Sequence, residues 1–131
     1  MHADEFPNSK LPMTVSMMED FAKLLNMDDI LAVRDMTMYA VMFYGFLRLS
    51  ECTKLTDSDL VLNEGNQLAI LIRDSKTDQT GADETIYIMP TKASYCAVLW
   101  LGRYREICNH QSRTITFKII QNTFKRRLDR H

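Results

Sequence analysis

The sequence has few of the features that mark secreted, metal-binding or membrane proteins. It contains only three cysteines, none spaced as Cys-x-x-Cys, so neither a disulfide framework nor a thiolate metal site is indicated. No apolar run approaches membrane-spanning length, and the first ten residues are polar and acidic, unlike a signal peptide. His2 and His110 lack metal-ligand spacing. We therefore expect an intracellular protein that uses no metal or other cofactor and does not enter a membrane.

Length and charge further limit the number of domains and the kinds of partner. The 131 residues, 46% of them hydrophobic, are enough for one core, so we expect a single domain over residues 1–131. The net charge of −1 argues against a generic polyanion binder. The charge is unevenly distributed, however, with eight basic and two acidic residues from position 103 onward against eight and fifteen before it. The C-terminal part is therefore the better candidate for a nucleic-acid face.

Helical periodicity dominates the first third of the chain. Ser16 and Glu19 have the spacing of a capping box, and the apolar residues that follow predict a helix over residues 16–25. Asp28 or Asp29 can cap a second helix, whose residues are apolar on most sides. Such a helix is expected to be buried.

The pattern then changes from helix to strand. Gly45 interrupts the second helix, and a short helical turn is expected over residues 49–55. Residues 60–62, 67–73 and 84–89 read as three consecutive strands joined by polar turns. They predict a three-stranded antiparallel meander.

Helical spacing returns after Pro90. It predicts a helix over residues 94–108 and a last helix, capped by Thr114 or Thr116, that extends to about Leu128. The predicted fold class is therefore α+β, mainly helical with a small three-stranded antiparallel sheet.

Two basic residues suggest phosphoryl chemistry on a nucleic-acid backbone. Arg48 lies in the run Gly-Phe-Leu-Arg-Leu-Ser-Glu (45–51), and Lys76 lies in the polar turn between the second and third predicted strands. A guanidinium offers two parallel donors to a phosphate, and an ammonium suits an oxygen that leaves from it.

These segments resemble a known family. The run 45–51 looks like the first catalytic box of tyrosine recombinases, the phage integrase family, and residues 56–60 are similar to the Leu-x-x-x-Asp-Ile segment that follows it there. Residues 75–81 resemble the lysine-bearing β-turn of the family. The extra residue between Gly45 and Arg48 looks like eukaryotic transposon members such as Cryptons. The resemblance spans residues 17–128 in order and implies a partial integrase-type catalytic domain.

The resemblance implies roles for three residues. Arg48 would bind the scissile phosphate, Glu51 would orient its guanidinium, and Lys76 would be the general acid that protonates the leaving 5′ oxygen. The alternatives are that Arg48 simply pairs with Glu51 one helical turn away, and that Lys76 is a solvated turn lysine.

Other parts of the family pattern are missing. The His-x-x-Arg box, a further His or Trp and the nucleophilic tyrosine belong downstream of the last predicted helix, and His131 has no arginine after it. The chain is therefore expected to be truncated and inactive by itself. Its five tyrosines precede the nucleophile's place and are expected to pack on helices and a strand: Tyr39, Tyr44, Tyr87, Tyr95 and Tyr104.

The last predicted helix carries a group of cations that could contact DNA phosphates: Lys118, Lys125, Arg126 and Arg127. The alternative is a solvated helix whose cations lie favourably near its own C-terminus.

Three hypotheses remain open at this point. The first is part of a site-specific DNA recombinase that breaks and rejoins DNA by transesterification, placed in the nucleus if eukaryotic and otherwise in the cytoplasm or nucleoid. The second is a non-catalytic DNA-binding or protein-interaction module derived from a recombinase. The third is an unrelated α+β domain. Under the first two, DNA is the expected partner, and self-association is expected if missing helices leave an apolar surface uncovered.

Overall fold

A computed structural model describes residues 14–73 and 83–117 of the chain. Within these ranges there are four α-helices: α1 (Val15–Leu24), α2 (Ile30–Gly45), α3 (Leu49–Cys52) and α4 (Ala97–His110). There are three strands: β1 (Leu60–Leu62), β2 (Leu68–Ile72) and β3 (Glu84–Ile88). None of the helices in these ranges has the length and apolar character needed to cross a membrane.

The sheet is an antiparallel meander in the order β1-β2-β3. Leu68 pairs with Leu62 on one side and with Ile88 on the other. Alternate residues of a strand point to opposite faces, and in β2 the buried residues Leu68, Ile70 and Ile72 lie on one face. The predicted α+β class and three-stranded antiparallel sheet are confirmed.

The core lies between this face of the sheet and the two long helices. Helix α2 packs along α4, and the hydroxyl of Thr37 joins them by donating to the carbonyl oxygens of Val33 and Trp100, at 2.8 and 3.1 Å. Thr37 is fully buried, so this polar group is satisfied inside the core. The prediction that α2 is buried on most sides is confirmed by eight buried residues along it.

The helix boundaries correct the sequence predictions in two places. Helix α1 is capped by Thr14, whose hydroxyl accepts from the N–H of Met17, so the capping box assigned to Ser16 is wrong. Helix α4 begins at Ala97 rather than Ser94. The carbonyl of Ser94 instead accepts a hydrogen bond from the indole of Trp100 at 2.7 Å. Asp29 does cap α2, as one of the two predicted alternatives, with its carboxylate accepting from the N–H of Leu31.

The segment after α4 also differs from expectation. Residues 114–117 are not helical, and Thr116 instead forms an isolated antiparallel bridge with Thr56. The prediction that Thr114 caps a helix is therefore wrong. Phe117 is fully buried and stacks on Tyr104, with ring centroids 5.7 Å apart. The remainder of the predicted last helix, residues 118–128, lies outside the described residues.

Candidate functional site

Arg48 lies at a sharp break between two helices. Helix α2 ends at Gly45, Phe46 adopts the left-handed conformation (φ 54°, ψ 39°), and Arg48 is extended at the start of α3. Leu47 is buried between two exposed neighbours. Because the backbone turns at Phe46 and Leu47 anchors it to the core, the Arg48 side chain is presented to solvent.

Gly45 lies where a side chain would have little space. A Cβ atom on Gly45 would lie 3.2 Å from Cγ of Leu47 and 3.7 Å from Cδ1 of Ile88. The first distance is tighter than an ordinary van der Waals contact. The glycine therefore lets the end of α2 pass close to Leu47 and to β3, which holds the break against the sheet.

The guanidinium of Arg48 is exposed, and it makes no hydrogen bond or ion pair in the part of the chain that the structure describes. Most other arginines in these ranges behave differently, since four of the six pair with carboxylates: Arg34, Arg73, Arg103 and Arg105. Arg113 resembles Arg48, since its side chain is also uncommitted, meaning that it makes no hydrogen bond or ion pair in these ranges. Arg48 is thus available to bind an anion without breaking a described contact.

The Glu51 carboxylate contacts the backbone of Arg48 rather than its guanidinium. Its Oε1 accepts a hydrogen bond from the backbone N–H of Arg48 at 2.8 Å, which caps the first turn of α3. No Arg48–Glu51 ion pair is present among the described residues, so that simple alternative is wrong, whereas the role of Glu51 in orienting Arg48 on a bound phosphate stays a prediction. Glu51 instead fixes the backbone from which Arg48 projects.

Lys76 lies outside the described residues. The structure does show that its flanking strands pair, with Ile72 opposite Glu84, so residues 73–83 connect the two strands of a hairpin. At the start of this connection, Arg73 lies 2.9 Å from the carboxylate of Asp59, which is almost fully buried. The other carboxylate oxygen of Asp59 accepts from the N–H and the hydroxyl of Thr56, both at 3.0 Å. The base of the hairpin is thereby tied to the turn before β1.

The described arginines of the basic C-terminal part are less available to bind nucleic acid than the composition suggested. Arg103 bonds the carbonyl of Met27 and the carboxylates of Asp28 and Glu106. Arg105 pairs with Asp57 at 3.0 Å and also donates to the Leu60 carbonyl. Both arginines therefore fasten α4 to neighbouring segments. The four cations proposed for DNA contact (Lys118, Lys125, Arg126 and Arg127) lie outside the described residues.

The tyrosines divide into two groups. Four pack as predicted: Tyr39 against Phe21, Tyr44 stacked on Tyr95 at 5.9 Å, and Tyr104 in the core. Tyr87 is 60% exposed on β3, so the packing prediction is wrong for it. Burial raises the pKa of Tyr104 to about 12, an effect that a hydrogen bond with the Thr116 backbone only partly opposes. None of the four packed tyrosines is presented as a nucleophile.

Sequence reasoning missed the environment of Cys96. Its Sγ accepts from the N–H of Thr91 at 3.3 Å, just before α4. Burial raises the pKa of this thiol, but hydrogen bonds from Thr91 and from the N–H groups of Leu99 and Val98 outweigh burial and lower it. The side chain is only 3% exposed, so it is not open to a ligand. No spacing in the sequence signals this contact.

No group of three or more His, Cys, Asp or Glu residues within 14–73 and 83–117 could hold a metal ion. Comparison of the chain with models of known protein families, with curated proteins and with solved structures finds no match. The resemblance to tyrosine recombinases therefore stays a prediction that depends on the residues themselves.

Proposed function

We propose that this chain is part of a site-specific DNA recombinase in which Arg48 binds the scissile phosphate. The observation that supports this most is the exposed, uncommitted guanidinium of Arg48 on a backbone fixed by Leu47 and Glu51. A rigid base for an anion-binding fork reduces the entropy lost on binding.

The chemistry follows from the two basic groups. The attacking hydroxyl loses its proton to solvent and forms a bond to the phosphorus while the bond to the 5′ oxygen breaks, and the phosphate oxygens gain negative charge in the transition state. Arg48 would stabilise that charge through two parallel N–H donors. Lys76 would give its proton to the departing 5′ oxygen. The nucleophile is assigned to none of the five tyrosines, so the chain alone binds DNA but does not cleave it.

DNA binding by this chain gives the first test. We would measure the anisotropy of a fluorescently labelled duplex over a series of salt concentrations for wild type, Arg48→Ala and Arg113→Ala. Arg113 is the matched control because it is also exposed and uncommitted in the described ranges. Arg48→Ala should weaken binding about tenfold and lower the salt slope by about one, since a charge-assisted phosphate contact is lost.

Arg113→Ala removes the same charge and should leave affinity within about twofold, because general attraction by one exposed cation is weak. Arg48→Lys should recover only part of the loss, since an ammonium keeps the charge but not the fork. Equal effects of the two alanine substitutions, or no DNA binding by wild type, would contradict the proposal.

Catalysis needs a separate experiment. A longer protein that includes this chain and supplies the tyrosine should form a covalent adduct with a nicked suicide duplex, and Arg48→Ala should abolish that adduct. Binding without any adduct would favour the non-catalytic module.

A further observation points to self-association, which both the recombinase and the non-catalytic module allow. On the sheet face opposite the core, Val61 and Tyr87 both pair with Ala69, and they are 48% and 60% exposed. These two exposed apolar side chains flank a small residue. We propose that a second copy of this chain covers them, since a patch that meets its own copy across a two-fold axis closes the assembly as a dimer. Light scattering at high protein concentration should show a dimer that Tyr87→Lys dissociates, and a monomeric wild type would contradict this.

A further inference from the structure

Lys92 is a second uncommitted cation at the end of α2 that carries Arg48. It is exposed, and within the described ranges its ammonium makes no hydrogen bond or ion pair. Lys92 follows β3 in the segment that leads into α4, so it is distant from Arg48 in the sequence. Whether the two cations form one site depends on how each segment is held.

The segment that contains Lys92 is held to the last turn of α2. The hydroxyls of Thr91 and Tyr44 share a hydrogen bond of 3.0 Å, and Tyr44 is the next-to-last residue of that helix. The N–H of Thr91 donates to Sγ of Cys96 at 3.3 Å, and the N–H of Cys96 donates to the carbonyl of Ala93 at 3.1 Å. Lys92 thus projects from a backbone that is fixed on both sides.

The segment that contains Arg48 is held to the same turn. The N–H of Leu47 donates to the carbonyl of Met42 at 3.1 Å, so the chain folds back against the last turn of α2 immediately before Arg48. Strand β3 lies alongside, since a Cβ atom on Gly45 would be 3.7 Å from Cδ1 of Ile88. The residue directly before each cation is therefore anchored to the last turn of α2.

The two segments that meet here carry positive charge only. Residues 43–48 and 88–96 contain no Asp or Glu, and the Glu51 carboxylate accepts a hydrogen bond from the backbone N–H of Arg48. Two exposed cations without a carboxylate in their segments create a positive potential that attracts a polyanion. A nucleic-acid backbone can occupy both at once, because it carries a charge at every nucleotide.

We propose that Lys92 binds a second phosphate of the DNA whose scissile phosphate is held by Arg48, so that the DNA backbone crosses the end of α2. The inference rests on the proposed DNA-binding function and adds a contact and a direction for the bound strand. An ammonium on a flexible stem suits this role, because it binds a phosphate as a point charge without a fixed geometry. Lys92 therefore adds affinity without selecting a base sequence.

Substitutions at Lys92 test the contact in the same anisotropy titration over a series of salt concentrations. Lys92→Ala should weaken binding about fivefold at about 0.15 M salt and lower the salt slope by about one, as expected for one lost phosphate contact. Lys92→Arg keeps the charge and should bind within about twofold of wild type. The double variant Arg48→Ala/Lys92→Ala should lower the slope by about two, because the two residues contact different phosphates.

Lys23 gives the matched control. It is also exposed and uncommitted in the described ranges, but it lies in the last turn of α1, which leads into the other end of α2. The two ends of α2 are about 24 Å apart, since the helix has 16 residues. Lys23→Ala removes an equal charge and should leave affinity within about twofold. Both alanine variants should unfold at the wild-type temperature, because neither lysine side chain makes a described contact.

The outcomes separate this inference from the proposed function. If Lys92→Ala binds like Lys23→Ala while Arg48→Ala still weakens binding, the inference fails and the proposed function stands. A loss of affinity in Lys92→Arg as large as in Lys92→Ala would also overturn the inference, because a phosphate contact depends on the charge that arginine keeps. If wild type binds no DNA, both fail.

Discussion

The hydroxyl of Tyr104 gives a stability prediction that can be worked out from the structure. It donates a hydrogen bond of 2.6 Å to the carbonyl of Thr116 and so fastens the segment after α4 to that helix. Tyr104→Phe removes this bond but keeps the ring that stacks on Phe117. Loss of one such hydrogen bond should lower the free energy of unfolding by about 1 kcal/mol at neutral pH. For a chain of this size, the unfolding temperature should fall by about 4 °C.

The same residue predicts how stability depends on pH. Burial raises the pKa of Tyr104 from the ordinary value of 10.0 to about 12 in the folded state. The unfolded chain therefore releases this proton at lower pH than the folded protein does. Below pH 10 the phenol is protonated in both states, and its stabilising effect is fully present. As the pH rises from 10 toward 12, the free energy of unfolding should fall by about 1.4 kcal/mol per pH unit, or by between 2 and 3 kcal/mol in all.

The variant lacks this titration, so the two proteins should respond differently to alkali. Urea unfolding at pH 7, 10 and 11 measures the difference between them, provided that the m-values agree. Wild type should be the more stable at pH 7, and its advantage should disappear near pH 11. An advantage that stays constant over this range would refute burial of the phenol as the cause, and no advantage at pH 7 would refute the hydrogen bond.

Three further predictions concern the core and the helices. Gly45→Ala should lower the free energy of unfolding, because the close contact of its Cβ with the buried Leu47 at 3.2 Å costs about 1 to 3 kcal/mol and outweighs the gain of up to about 1 kcal/mol that alanine gives a helix. Gly102→Ala in α4 meets nothing within 4 Å and should raise the free energy of unfolding by up to about 1 kcal/mol. Thr37→Val should lower it by about 1 kcal/mol by removing the hydroxyl that joins α2 to α4; no change in urea unfolding would contradict that role. Burial raises the pKa of the Cys52 thiol to about 12, so a thiol reagent should label Cys52 only after unfolding; labelling at native pH within minutes would show that the core opens locally.

Strand positions could be predicted from the sequence because the relevant signals are local. Residues 60–62 and 84–89 were predicted within one residue of β1 and β3, since alternation of side chains and the turn residues between them fix the register. Helix starts were less predictable. Thr14 and Ser16 are both good capping residues, and which one caps α1 is decided by packing of the whole helix rather than by its first turn.

In the candidate site, too, features set by local sequence could be predicted and features set by packing could not. That Arg48 follows a helix break could be predicted, since Gly45 interrupts an otherwise continuous apolar helix. The partner of Glu51 could not, because a spacing of three residues suits both a bond to the backbone N–H and an ion pair with the side chain. Likewise, charge alone could not distinguish Arg48 from Arg105, whose partner Asp57 is distant in sequence.

The left-handed residue was the least predictable feature of this turn. A glycine in the last turn of a helix suggests that the glycine itself takes the positive φ, yet here Phe46 does. The left-handed conformation costs a non-glycine residue about 1 to 2 kcal/mol, and a helical glycine costs about 1 kcal/mol relative to alanine. Against a total stability of about 5 to 15 kcal/mol, these are large costs for one turn. Burial of Leu47 and contact of Gly45 with it account for the path of the backbone, but glycine or asparagine at position 46 would follow that path with less strain.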